Sequence, residues 1–280
     1  MRKKLEFQAN RIESALALHQ VDARVTGGTV TPRWVRFQVL PAESAKIGKI
    51  KGLSEEMAAA LEASSCRVSR RGAAVAIEVP RDDPRPVRLL PLYDQLTDHP
   101  SDQPSIPPTT AILGLAEDGA PLLIRLPSPD VAHVLVAGAS GAGKTTLLQT
   151  MILSLAMSNP PALRSETKGT SLVLIDSTRH ALRLFDGLPH LARPVVCEPE
   201  DAAEVLQSLV RLMERRSGNE RVEQSRVVVV IDELADLVLM GGKPVQRSLT
   251  RLTQRGGEVG VHVVAATRNP TAAALGQVGS

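Results

Sequence analysis

Residues 227–232 read Val-Val-Val-Val-Ile-Asp, with no polar side chain until the last position. A strand with one wet face alternates apolar and polar residues. A run that is apolar throughout must be buried on both faces, as in a parallel sheet covered by helices on either side. Further short apolar runs stand at 133–137 (His-Val-Leu-Val-Ala), 171–176 (Ser-Leu-Val-Leu-Ile-Asp), 194–197 (Pro-Val-Val-Cys) and 261–267 (Val-His-Val-Val-Ala-Ala-Thr). Segments with helical spacing, such as 202–216 and 243–255, lie between them. Strands alternating with helices predict an α/β nucleotide-binding domain built on a parallel sheet.

The segment 97–110 holds four prolines and no periodic apolar pattern. Proline fixes its own φ and disfavours helix in the residue before it, so this stretch is expected to be an extended linker. It separates a small α+β domain, 1–96, from the α/β domain, 111–280. In the first domain Leu5, Ile12 and Leu16 have helical spacing. Two strands are expected around a Gly27-Gly28 turn, with Val35, Phe37 and Val39 on one face. A helix follows with Ser54 as N-cap, Glu56 supporting its first turn, and Met57 and Leu61 facing inward. A second hairpin turns at Arg71-Gly72, and the domain carries no catalytic constellation.

The chemistry lies in the second domain. Gly138, Ala139, Ser140, Gly141, Ala142, Gly143, Lys144, Thr145 and Thr146 contain the pattern G-x-x-x-x-G-K-[ST], after an apolar strand and at the start of a helix. In that setting the N–H groups of residues 141–146 would cradle the β- and γ-phosphates of ATP at the positive end of the helix. Lys144 would neutralise phosphate charge and the Thr145 hydroxyl would hold Mg2+. The valine run delivers Asp232 and Glu233 to its C-terminal end, where ligands bind in parallel sheets. Asp232 suits the Mg2+ site. Glu233 suits the base that orients or deprotonates the attacking water, which points to hydrolysis rather than a slow switch.

Other positions leave two readings open. Asp176 ends a strand and either faces the same crevice or caps the next turn. Thr267 ends the last strand and is either a γ-phosphate sensor or a satisfied strand-end threonine. Arg247, Arg251 and Arg255 form one basic helix face, either solvated or in contact with a subunit or DNA. His133 and His190 have no partners at metal-ligand spacing.

Composition narrows the partners. The apolar share of 43% supports a sizeable core, but the only aromatics are Phe7, Trp34, Phe37, Tyr93 and Phe185. So few rings argue against a single-strand binder that stacks bases on aromatic side chains. The net charge of +3 permits a nucleic-acid partner without requiring one. Cys66 and Cys197 are far apart, as expected of free thiols in a reducing cytoplasm. The charged start lacks a following apolar segment and no run of 18 apolar residues occurs, so the expectation is a soluble cytoplasmic protein with no membrane segment.

Together these segments resemble the motor of the FtsK/SpoIIIE family of DNA translocases. The resemblance is carried by HVLVAGASGAGKTTLLQTMILSLAM, FDGLPHL, LMERR, VVVVIDELADLV and RLTQRGGEVGVHVVAAT, in the family's order and near its spacing. The first domain resembles the family's α subdomain through VTGGTVTPRWVRFQVLP, KIGKIKGLSEEMAAALEA and VAIEVPRDDPRPVRL. The resemblance implies a P-loop (RecA/HerA-like) ATPase that pumps double-stranded DNA through a homo-hexameric ring, using ATP and Mg2+. Where the family often has Asp-Pro-Lys, this chain has Asp176-Ser177-Thr178. Where the family has Ala-Thr-Gln-Arg-Pro, Arg268 and Asn269 replace the Gln and the Arg. The family motor also continues past the point where this sequence stops, so a C-terminally incomplete motor is expected. Its phosphate-loop strand would then have a free edge, and the chain would associate irregularly and turn over ATP slowly. The alternatives are a nucleotide-binding subunit with little turnover of its own, and a related secretion-type pump.

Overall fold

The computed structural model describes residues 2–42, 45–98, 106–116, 119–128, 130–162, 169–217 and 225–275. The chain divides into two compact units, Met1–Arg88 with Leu115–Pro121, and Leu89–Gly114 with Leu122–Ser280.

The first unit contains α1 (Arg2–Leu18), β1 (Ala23–Val30), β2 (Trp34–Pro41), α2 (Ile47–Gly52), α3 (Ser54–Ala60), β3 (Arg67–Arg71) and β4 (Ala74–Pro80). Its antiparallel sheet runs β1-β2-β4-β3. Val35, Phe37 and Val39 share the buried face of β2, as their alternation predicts, and pack with Ile12 and Leu16 of α1 and Met57 of α3. Two local expectations are corrected. Gly27 and Gly28 lie inside β1, opposite Gln38 and Phe37, and the reversal comes later, at 31–33. Pro32 suits the turn because it has no N–H to give a ladder. Thr31 closes the turn, its N–H donating to Trp34 O (2.8 Å) and its hydroxyl accepting from Trp34 N (3.0 Å). Ser54 makes no capping bond because α3 follows α2 after the single residue Leu53, whose carbonyl already accepts from Met57 N.

The second unit opens with α4 (Leu89–Thr97) and the hairpin β5 (Thr110–Leu115) and β6 (Pro121–Arg125). Then come β7 (Val134–Ala137), α5 (Lys144–Ser158), β8 (Thr170–Asp176), α6 (Pro199–Ser217), β9 (Arg226–Asp232), α7 (Leu234–Arg255), β10 (Val261–Thr267) and α8 (Ala272–Leu275). The sheet is parallel throughout, in the order β7-β10-β9-β8. Both faces are dry at β8, β9 and β10, whereas edge strand β7 alternates between half-buried and exposed positions. Val228 and Val230 pack with Leu148, Met151, Ile152 and Leu155 of α5. Val229 and Ile231 face the other way, onto Leu206 and Leu209 of α6 and Leu249 and Leu252 of α7. Each such side chain contributes roughly 1.5–3 kcal/mol relative to exposure, which explains why β9 is apolar from Val227 to Ile231.

Four expectations for this unit need adjustment. The first unit ends at Arg88 rather than at 96, since α4 packs with the second and Tyr93 Oη donates to Met157 O (2.9 Å). Of the expected linker, 99–105 lie outside the described residues. Its end is packed rather than free: Ile106 and Thr109 are buried, and Thr109 N donates to Asn159 Oδ1 (2.8 Å). Residues 194–197 form no strand. Only Val196 bridges to β8, with Val196 N donating to Leu174 O (2.9 Å) and Asp176 N to Val196 O (2.8 Å). Pro194 has no N–H with which to extend that pairing. Helix α7 begins well before the expected 243 and is interrupted at Gly242 (φ 57°, ψ −149°), a conformation open essentially to glycine alone.

Two imidazoles join β7 to β10 at their N-terminal ends. His262 Nδ1–H donates to Ala132 O (2.9 Å), and His133 Nδ1 accepts from Val263 N (3.0 Å). Burial pushes the His133 imidazole down to about 4, with His262 adding to the effect. Burial also lowers His262, opposed by its bond to Ala132. Both rings are neutral in the fold, whereas an unfolded histidine titrates near ~6.5. The unfolded chain therefore takes up more protons below that pH, and stability falls as pH drops from ~6.5 towards ~4. Urea unfolding should show the midpoint falling over this window, and His262→Gln should flatten the dependence. Parallel curves for the two proteins would contradict the assignment.

Candidate nucleotide-binding site

The loop between β7 and α5 is shaped by two glycines in the left-handed region, Gly141 (φ 76°) and Gly143 (φ 90°). Side chains there would be strained. Gly143 immediately precedes α5, so the first-turn N–H groups of that helix face the loop. Lys144 Nζ lies across the loop and donates to Gly138 O (3.0 Å) and Ala139 O (3.1 Å). The Thr145 hydroxyl donates to Asp232 Oδ2 (3.2 Å) and ties the loop to the end of β9.

Asp232 is buried, and burial is the main influence raising its carboxyl above the usual range. The Thr145 hydroxyl opposes the shift, while the nearby Asp176 and Glu233 carboxylates add to it. Glu233 makes the turn from β9 into α7 with φ 58° and ψ 63°, a conformation unfavourable for a side chain of this size. Its Oε1 accepts from Arg268 N (2.8 Å), and its Oε2 forms an ion pair with Arg268 Nε (2.9 Å). Arg268 Nη2 also donates to Asp236 Oδ2 (3.1 Å) in the first turn of α7.

Ser140, Gly141, Gly143–Thr146, Asp232 and Glu233 line one cleft, and Gly138, Ala139 and Ala142 complete the loop behind it. Asp176 pairs in register with Asp232, but its carboxylate is committed to the turn after β8. Oδ1 accepts from Thr178 N (3.0 Å) and Thr178 Oγ1 (2.7 Å), and Oδ2 from Ala181 N (2.8 Å) and Leu182 N (2.9 Å). That is the turn-capping geometry of its two readings. Thr267 is fully buried, and its hydroxyl accepts from Asn269 N (3.1 Å) and donates to Asn269 O (3.3 Å), as a satisfied strand-end threonine does. Arg251 of the basic row pairs with Glu214. His190 Nε2 donates to Asn159 O (2.8 Å).

Sequence reasoning missed Arg268, Thr178, His180 and Gln149 as parts of the cleft. The usable signal for Arg268 was its place directly after the apolar run 261–267, which forms β10 beside β9. Among the described residues no group of three His, Cys, Asp or Glu could hold a metal ion. A hydroxyl and a carboxylate oxygen joined by a hydrogen bond are nevertheless the hard donors that suit Mg2+, which takes its other ligands from water and phosphate.

A parallel sheet whose first strand opens into such a loop, with a carboxylate from another strand bonded to the loop threonine, defines the P-loop ATPase class. Residues 95–226 match the model of the FtsK/SpoIIIE family, and residues 1–81 that of the FtsK alpha domain. The chain belongs to the FtsK/SpoIIIE family. It is 30% identical to a "DNA translocase FtsK" of Sporosarcina ureae, over 95% of this chain and 36% of that protein. Against a "DNA translocase FtsK" of Staphylococcus epidermidis the identity is 32%, over 93% of this chain and 34% of the relative. The chain thus spans about a third of the length of these relatives. In fold it is similar to the conjugation coupling protein TcpA of pCW3, solved in monomer form with ATPgS. The TM-score is 0.53 and the identity 17%, over 97% of this chain and 80% of that one. Among the described residues no helix is long and apolar enough to cross a membrane.

Thr145→Ala leaves the buried Asp232 without its hydroxyl partner. Thermal denaturation should show a loss of about 1 kcal/mol, and the Mg2+ dependence of ATP affinity should weaken. Thr145→Ser should retain both properties. An alanine variant with parental stability and Mg2+ dependence would show that the contact matters to neither.

Proposed function

We propose that this chain is the α and motor portion of an ATP-hydrolysing translocase of double-stranded DNA. It would act in the cytoplasm as a homo-hexamer and require Mg2+. The observation that carries the reading is the Thr145–Asp232 hydrogen bond, which brings a phosphate-binding loop and a strand-end acidic pair into one cleft. Membership of a family whose curated relatives are named DNA translocases supports DNA as the cargo.

Each group in the cleft has a distinct part. The loop amides and the N-terminal end of α5 bind the β- and γ-phosphates. The Lys144 ammonium, a compact point charge, exchanges the carbonyls of Gly138 and Ala139 for phosphate oxygens. Thr145 and Asp232 are the residues that would hold Mg2+, which supplies charge neutralisation on the phosphates when bound. Glu233 orients the attacking water and accepts its proton. Asp176 holds the turn whose residues Thr178 and His180 line the opposite wall. The DNA duplex is gripped through its phosphates with little base reading, as a motor that passes any sequence requires.

A second reading, a nucleotide-binding module with little turnover, draws support from one observation. Both carboxylate oxygens of Glu233 are already engaged by Arg268.

Two substitutions test the assignment. Lys144→Ala should abolish Mg-ATP binding in a fluorescence titration while the fold survives, since alanine suits a helix start. Glu233→Gln should keep binding and lose hydrolysis, because an amide has the shape of a carboxylate but accepts no proton. Parental turnover by Glu233→Gln would exclude Glu233 as the base. Binding to long duplex DNA should weaken steeply as salt is raised, without sequence preference, because phosphate contacts release counterions.

A further inference from the structure

Arg268 is the least expected member of the cleft. It follows β10 directly, and its backbone N–H and guanidinium each take one oxygen of Glu233 (2.8 and 2.9 Å). The same guanidinium reaches Asp236 at 3.1 Å. The Glu233 side chain is 9% exposed, whereas that of Arg268 is 52% exposed and shares the cleft with Lys144 and Thr145. A carboxylate with one oxygen in a hydrogen bond and the other in an ion pair is not free to orient water. A planar guanidinium beside a phosphate-binding loop has a more highly charged partner within its reach once a triphosphate is bound.

We propose that Arg268 is a latch acting within its own chain. Without nucleotide it holds Glu233 in a non-hydrolytic position, and the γ-phosphate of bound ATP draws the guanidinium away and frees Glu233 for water. The latch rests on the ATPase reading above. Asp236 is its second anchor, keeping the guanidinium near the end of α7 when Glu233 is released. Arg268 is accordingly a positioning residue and takes no proton itself. The geometry also accounts for the observation that favoured a low-turnover module: a chain latched in this way hydrolyses slowly until the pair separates.

The test uses the full chain and two readouts. The first is hydrogen exchange of the segment around Arg268, whose amide is protected by Glu233 Oε1. Protection should fall in Glu233→Ala without nucleotide, and fall part of the way to that level in the parent on adding a non-hydrolysable ATP analogue with Mg2+. The second is turnover. Arg268→Gln should raise kcat about two- to fivefold, the scale of a half-exposed ion pair, while affinity for a fluorescent ATP analogue falls by no more than a similar factor. It should have no effect on a Glu233→Gln background. Arg268→Lys, which keeps the charge but cannot span both carboxylates, should fall between. If Arg268→Gln does not fold, the lysine variant and the exchange of the parent chain decide the matter. Unchanged exchange on binding the analogue, or a kcat that stays level or falls in a folded Arg268 variant that binds nucleotide, overturns the latch alone. A parent chain that binds no ATP analogue overturns the ATPase reading and the latch together.

Discussion

Parallel pairing of β10 with both β7 and β9 is the constraint on which the site depends. Val264 to Thr267 align with Val134 to Ala137 on one side, and Val261 to Ala265 with Val227 to Ile231 on the other. The C-terminal ends of three strands distant in sequence are thereby set side by side. β7 delivers the phosphate loop, β9 delivers Asp232 and Glu233, and β10 delivers Arg268. The ladder forms because β9 and β10 are apolar enough to be covered on both faces, by α5 on one and by α6 and α7 on the other, while β7, at the edge, packs only its Val134 and Val136 face on the α5 side.

This arrangement concentrates negative charge where water is scarce. Asp232, Glu233 and Asp176 are all buried at the same edge of the sheet. Each meets that cost differently. Asp176 accepts four hydrogen bonds from its own turn, Glu233 is paired with Arg268, and Asp232 relies on the Thr145 hydroxyl. Asp232 is the least compensated of the three, and its carboxyl is raised accordingly. A buried acid with spare acceptor capacity, next to a loop that binds phosphate, suits a site designed to receive a cation together with its ligand.

Much of this was legible in the sequence. The apolar runs marked four parallel strands, because two-sided burial at β8, β9 and β10 leaves little room for polar residues. Gly143-Lys144-Thr145 marked the loop, because few residue types fit its backbone and chemistry. Other features depended on contacts that spacing does not encode. The turn at 31–33 was misplaced at Gly27-Gly28, since a Gly-Gly pair signals a turn locally while the ladder can absorb it within a strand. Residues 194–197 have strand composition, but Pro194 and a single bridging residue leave them outside the sheet. Arg268 stood out only as a departure from the family pattern. Its role appears when β10 lies next to β9 and its side chain meets Glu233.

On the function proposed above, the ends of β7, β9 and β10 form a hydrolytic site coupled to a duplex. The most direct measurement is the steady-state rate of ATP hydrolysis by the chain at low salt, with and without long double-stranded DNA. The account predicts a low, Mg2+-dependent basal rate that rises when duplex is added. A chain that binds ATP but shows no hydrolysis under either condition, or a rate indifferent to DNA, would contradict it.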